Sequence, residues 1–136
     1  MKQVICLILL FIAVQHTFAQ NVTPAEELPL EYADVAIKPE FKGETWAFYI
    51  SHNLKYPEAA LKDKIGGKVY VSFIIEKNGE ITHARVEQGL GHGLDEEALR
   101  VVKNSPRWRP GYRAKKQPVR VACVMPISFN PDNVTF

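Results

Sequence analysis

The sequence predicts an α+β domain in which a three-stranded antiparallel sheet packs against two to three helices. Three observations carry this. Residues 68–76 and 81–88 alternate apolar and polar on either side of Asn78-Gly79, the strongest short hairpin signal. Residues 119–129 place Val119, Val121, Cys123, Met125, Ile127 and Phe129 on one face of a third strand. Segments 44–54, 57–65 and 94–105 repeat their apolar residues at helical spacing instead. Helices covering one face of a hairpin plus a third strand is the economical packing.

The elements follow in order. The chain has 136 residues, enough for one domain. Residues 1–19 combine Lys2, an apolar run over 4–14 and small residues at Thr17 and Ala19, the pattern of an export signal cleaved before Gln20. An uncleaved anchor is the alternative if residues 15–19 join the apolar run. Residues 20–43 hold Glu26, Glu27, Glu31, Asp34 and Glu40 together with Pro24, Pro29 and Pro39, and read as an acidic extended leader. The packed domain is expected over 44–131, with 132–136 as a tail.

Trp46, Tyr49, Ile50 and Leu54 share a helical face. Tyr56-Pro57 interrupts, and Pro57 suits the first position of a second helix that Gly66-Gly67 ends. In the hairpin, Val69, Val71, Phe73 and Ile75 face one way, and Ala84 and Val86 return on the same side. Both residues of the Asn78-Gly79 turn are expected at positive φ. Asp95 is the expected N-cap of the third helix. Its inward stripe is Leu94, Ala98, Val101, Val102 and Ser105, and Pro106 ends it. Pro126 cannot donate to a ladder, so the last strand is expected at an edge or a bulge.

The chemistry is that of binding rather than catalysis. His52, His83 and His92 have no ligand-pair spacing, and Gly89, Gly91 and Gly93 do not form a dinucleotide fingerprint, so neither metal nor cofactor is expected. Cys123 is left alone once the export segment departs, and reads as a small buried hydrophobe. From Arg100 to Arg120 the charges are all basic. An exported protein meets little nucleic acid, so that stretch is not assigned to one. Trp108 reads first as a core plug. Arg107 and Arg109 read as cations that stack on its ring or snorkel beside it.

Three segments together resemble the C-terminal domain of TonB-family energy transducers. They are "NLKYPEAALKDKIGGKVYVSFIIEKNGEI", "GLDEEALRVVKNSPRWRPG" and "QPVRVACVMPISF", spanning about residues 53 to 129. The resemblance implies a non-enzymatic periplasmic module. Such a module takes a short extended segment of an outer-membrane receptor, the TonB box, as an added strand on its sheet edge, and an inner-membrane motor supplies the pulling force. On this chain it implies Val119–Phe129 as the edge. The partner-facing residues would be Arg120, Ala122, Val124, Pro126 and Ser128, with Tyr56 and Pro57 near the bound segment. Arg107, Trp108 and Arg109 would shape the turn into that strand and touch the partner second. A full transducer has an uncleaved N-terminal helix and a long Pro-rich linker. The signal-like start and short leader here therefore imply a stand-alone member, and engagement of the motor stays open. A structural module that dimerises through the same edge is the second reading.

Overall fold

A computed structural model describes residues 27–133; the expected export segment, residues 20–26 and residues 134–136 of the expected tail lie outside them. The elements in chain order are β1 (Leu30–Glu31), α1 (Trp46–Asn53), α2 (Glu58–Lys62), β2 (Gly67–Ile75), β3 (Ile81–Gln88), α3 (Leu94–Lys103), β4 (Gly111–Arg113), β5 (Gln117–Val119) and β6 (Val121–Phe129). The α+β class holds, with one difference. The sheet has four strands in the order β1-β6-β2-β3, and β1 runs parallel to β6. A two-residue strand inside an acidic, Pro-flanked leader carries no periodicity by which a sequence could announce it.

The core forms as the alternation requires. Val69, Val71, Phe73 and Ile75 of β2 and Val121, Cys123, Ile127 and Phe129 of β6 are all buried. The helix α3 covers them with Leu94, Ala98, Val101 and Val102, the expected stripe without Ser105. Burial pushes the Cys123 thiol up to about 12, so it stays protonated and packs as an apolar side chain.

Local details differ from the sequence expectation where a tertiary contact decides them. The hairpin turn has only Gly79 at positive φ (+84°), with the Gly79 amide bonded to the Glu76 carbonyl at 2.8 Å. This is the three-residue type of loop, closed by glycine in the left-handed region. A Cβ on Gly79 would stand 1.9 Å from the Trp108 carbonyl oxygen, so the turn and the Trp108 segment require each other. Asp95 is not the N-cap of α3, because Gly93 holds that position. The Asp95 carboxylate instead accepts from the amides of Leu90 (2.7 Å) and Gly91 (3.3 Å), and so ties down the preceding loop. Pro57 is the N-cap of α2 rather than its first residue.

The leader is more than an approach to the domain. Val35 is buried in the core, and Ile37 and Glu40 make antiparallel bridges to Tyr112 and Arg109. Gly111 makes room for this, since a Cβ there would meet Val121 at 2.7 Å and Val35 at 3.0 Å. Leader residues from Leu30 onward therefore pack against the body expected over 44–131. The strand expected over 119–129 breaks at Arg120, and β5 pairs back on β4 as a second, two-stranded sheet.

Candidate functional site

The two margins of the main sheet differ in what they offer. The outer margin of β3 is irregular. Its pairing with β2 shifts register twice, His83 sits at φ +53°, and His83, Arg85 and Glu87 are exposed. Bulges and charges of this kind keep other strands off an edge. In contrast, β6 pairs with β2 without a shift from Val121 to Phe129. On its other side β1 covers only Val121 and Ala122. From Cys123 onward, among the described residues, no strand lies against that margin.

Which backbone groups face outward follows from one hydrogen bond. The Leu30 amide donates to the Arg120 carbonyl at 2.9 Å, so Arg120 points its polar groups toward β1. A strand alternates direction at each residue, so Ala122, Val124, Pro126 and Ser128 point the same way. Residues 121, 123, 125, 127 and 129 bond to β2. Pro126 thus falls on the open side, where its missing N–H costs the sheet nothing. The open margin offers the amides of Val124 and Ser128 and the carbonyls of Val124, Pro126 and Ser128.

A groove of about 640 Å³ runs beside this margin. Its far wall is α1 and the residue that caps it, through Trp46, Ala47, Ile50, Ser51 and Leu54, and its near wall is Pro126 and Ser128. Tyr56, Asn130 and Asn133 complete it. The volume lies within the range of ligand clefts. The Thr45 hydroxyl starts α1 by accepting from the Phe48 amide at 3.3 Å. No residue of α1 is fully buried, although it carries Trp46, Phe48, Tyr49 and Ile50. Its inner face rests on an aromatic cluster in which Phe41, Trp46 and Trp108 lie at centroid distances of 5.3–5.4 Å.

Two anchors fix α1. The Tyr49 hydroxyl donates to the Val101 carbonyl at 3.0 Å. Below it, Glu97 accepts from the Lys55 amide (2.6 Å) and from Arg100 (2.6 and 2.8 Å), while Arg100 also donates to the Asn53 carbonyl at 2.7 Å. Burial by itself would raise the Glu97 carboxyl, but Arg100 and the Lys55 amide outweigh it and hold the group below its ordinary value. A carboxyl depressed on folding stabilises above the unfolded pKa, and the gain disappears as pH falls through the folded one. Glu97→Gln is therefore expected to cost about 1–2 kcal/mol at pH 7, the scale of hydrogen bonds to a charged group. The difference from wild type should shrink as pH falls below the ordinary Glu range of about 4 and through the depressed value of the folded carboxyl. Urea titrations across pH measure it, and a deficit independent of pH would rule out the charge as its cause.

The structure brings together only part of the expected set. Tyr56, Pro126 and Ser128 line the groove, and Val124, 60% exposed, stands on the open margin. Tyr56 is pinned there by a 2.5 Å bond from its hydroxyl to the Ile65 carbonyl and an edge contact with Phe129. Pro57 turns away toward Gly93. Ala122 is half-buried and lies opposite Glu31. Arg120 is buried, pairing with Glu76 at 2.8 Å and donating to the Glu27 carbonyl, so its side chain secures the leader. Arg107 and Arg109 do not stack on Trp108. They pair with Glu80 (2.5 Å) and Glu40 (2.9 Å), exposed contacts of small energetic weight. Trp46, Ile50 and Leu54 are groove residues that sequence reasoning assigned only to a shared helical face. The signal was that face together with the absence of any second stripe to bury it.

The family model for the Gram-negative bacterial TonB protein C-terminal matches residues 52–131. Among curated proteins none matches the chain. Two solution structures of the Helicobacter pylori TonB C-terminal domain are similar to it, each at 25% identity. The shorter one covers 64% of this chain and 90% of its own, with a TM-score of 0.48. The longer covers 62% and 75%, with a TM-score of 0.46.

Proposed function

Because the chain belongs to the family of TonB protein C-terminal domains, we propose that it is a periplasmic binding module in TonB-dependent transport across the outer membrane. It engages an extended segment of an outer-membrane receptor by strand addition to the open margin of β6. Main-chain bonds to Val124, Pro126 and Ser128 supply affinity. Alternate side chains of the guest meet Trp46, Ile50 and Leu54 and supply selection. The observation that carries this reading is the pairing of a regular, uncovered strand margin with an apolar helix wall, while the other margin is bulged and charged. No helix among the described residues is long and apolar enough to cross a membrane. Export through residues 1–19 would leave the body as a stand-alone module, its coupling to a motor dependent on whether that segment is retained.

The dimer reading uses the same margin and is weaker for a specific reason. Antiparallel pairing of β6 with a second β6 includes Pro126 in each register that spans Val124–Ser128. Two-fold symmetry then removes two backbone bonds, where a foreign strand loses one. Each is worth about 0.5–1.5 kcal/mol net.

Titration with a TonB-box peptide, followed by amide exchange, tests the proposal. Protection at Val124 and Ser128 is expected to rise at least about tenfold, the effect of one net hydrogen bond or more. Arg85 and Glu87 should not change. Protection arising on β3 instead, or none anywhere, would overturn the reading.

A further inference from the structure

The leader strand β1 lies on the same margin of β6 as the proposed docking segment. It stands opposite Val121 and Ala122 and ends where the open segment begins. It is held on both flanks. Ahead of it, Arg120 takes the Glu27 carbonyl and Lys77 pairs with the Glu27 carboxylate. Behind it, the Lys38 ammonium donates to the Tyr32 and Ala33 carbonyls, and Val35 is buried in the core. A strand fixed at both ends does not slide along its partner or peel away at small cost.

We infer that the leader strand is a fixed end-stop on the docking margin: it admits a guest strand along Val124–Ser128 and excludes a longer one. The inference rests on the docking reading above and adds the partner's length and register to it. A guest parallel to β6 would meet the stop at its N-terminal end, and an antiparallel guest at its C-terminal end. In either direction the Arg120 carbonyl is already taken by the Leu30 amide, and the parallel register of Leu30 opposite Val121 directs the Ala122 amide to the Leu30 carbonyl. The partner class is thus a short extended segment of about five residues that leaves the sheet line where Glu31 stands, as opposed to a long strand or a continuous sheet edge. Without the stop, the margin would run two residues further, and two more backbone bonds would be available to a guest.

The test uses the mature chain and two fluorescent, end-capped peptides of alternating Thr and Val, five and nine residues long. Wild type is expected to bind both with affinities within about twofold, since the extra residues gain no backbone bonds. Leu30→Pro removes the amide that bonds Arg120. In that variant the five-residue probe should bind as before, and the nine-residue probe about tenfold tighter, the gain from about two net hydrogen bonds in the lower half of their range. Amide exchange checks the structure independently. Ala122 should be slow in free wild type and faster in free Leu30→Pro, with Cys123 and Met125 slow in both because they bond to β2. Where Ala122 stays slow because the flanks still hold the strand, Leu30→Pro combined with Lys38→Ala, which releases the Tyr32 and Ala33 carbonyls, is read in its place. The stop is overturned if the nine-residue probe is already about tenfold tighter on wild type. It is equally overturned if freeing Ala122 leaves the affinity ratio unchanged. Failure of both probes to bind or to protect Val124 in wild type is a different outcome: it overturns the docking reading, and the stop with it.

Discussion

Trp108→Ala is expected to lower the unfolding free energy by about 3–5 kcal/mol, the usual cost of emptying a buried aromatic site. Trp108 is 5% exposed and touches the rings of Phe41, Trp46 and Phe73. These come from three parts of the chain: leader, first helix and central strand. Its amide also donates to the Gly79 carbonyl at 2.8 Å, so the residue closes the hairpin turn from below. The cavity left by Ala would border α1, which has no fully buried residue of its own to hold it. A melting-temperature loss on the order of 20 °C follows for a domain of this size. Trp108→Phe should recover much of it by refilling the aromatic cluster. Thermal and urea unfolding measure both. An unchanged midpoint with lost peptide binding would instead make Trp108 a contact residue.

The parts of this fold that the sequence made legible are those in which a periodic segment meets one partner. Residues 68–76, 81–88 and 121–129 alternate because each faces a helix on one side and water on the other. Leu94, Ala98, Val101 and Val102 repeat because one helix stripe meets that sheet. The leader hid its role because its contacts are single residues. Val35 plugs the core, Leu30 makes a backbone bond, and Phe41 adds one ring, each separated by acids and prolines that dominate the composition. Arg107 and Arg109 suggested stacking on Trp108 for want of any visible acid nearby. Their partners, Glu80 and Glu40, lie 27 and 69 residues away. Pro126 correctly marked an open margin, yet the strand that carries it is interior to the sheet order at its start and an edge only beyond Ala122. The groove was half legible. Tyr56 and the parity of Pro126 and Ser128 were readable, but a wall made by α1 exists only after the tertiary fold sets that helix beside the strand.

The parity of β6 yields the sharpest functional test, because it separates backbone from side chain within one strand. Val124→Pro is expected to leave the protein folded and to weaken TonB-box peptide binding at least about thirtyfold. Val124 points its amide away from β2, on the side where Pro126 already does without one, so the pairing with Ser72 should survive. The guest carbonyl that would accept from Val124 loses its donor and stays desolvated in the groove. Such an orphaned acceptor costs about 2–3 kcal/mol, or about 30- to 150-fold in affinity. Val124→Ala keeps the amide and trims a side chain that is 60% exposed, so binding should stay within about threefold. Met125→Pro is the control of opposite parity. It removes an amide directed at Val71 in the central strand, and should destabilise the fold by about 3 kcal/mol or more. A Val124→Pro protein that is folded and binds normally would exclude this margin as the docking edge. Equal loss of binding in Val124→Ala would move the recognition from the backbone to the side chain. If Met125→Pro kept wild-type stability while Val124→Pro unfolded, the parity itself would be reversed, and the amides open to a partner would be those of residues 123, 125 and 127.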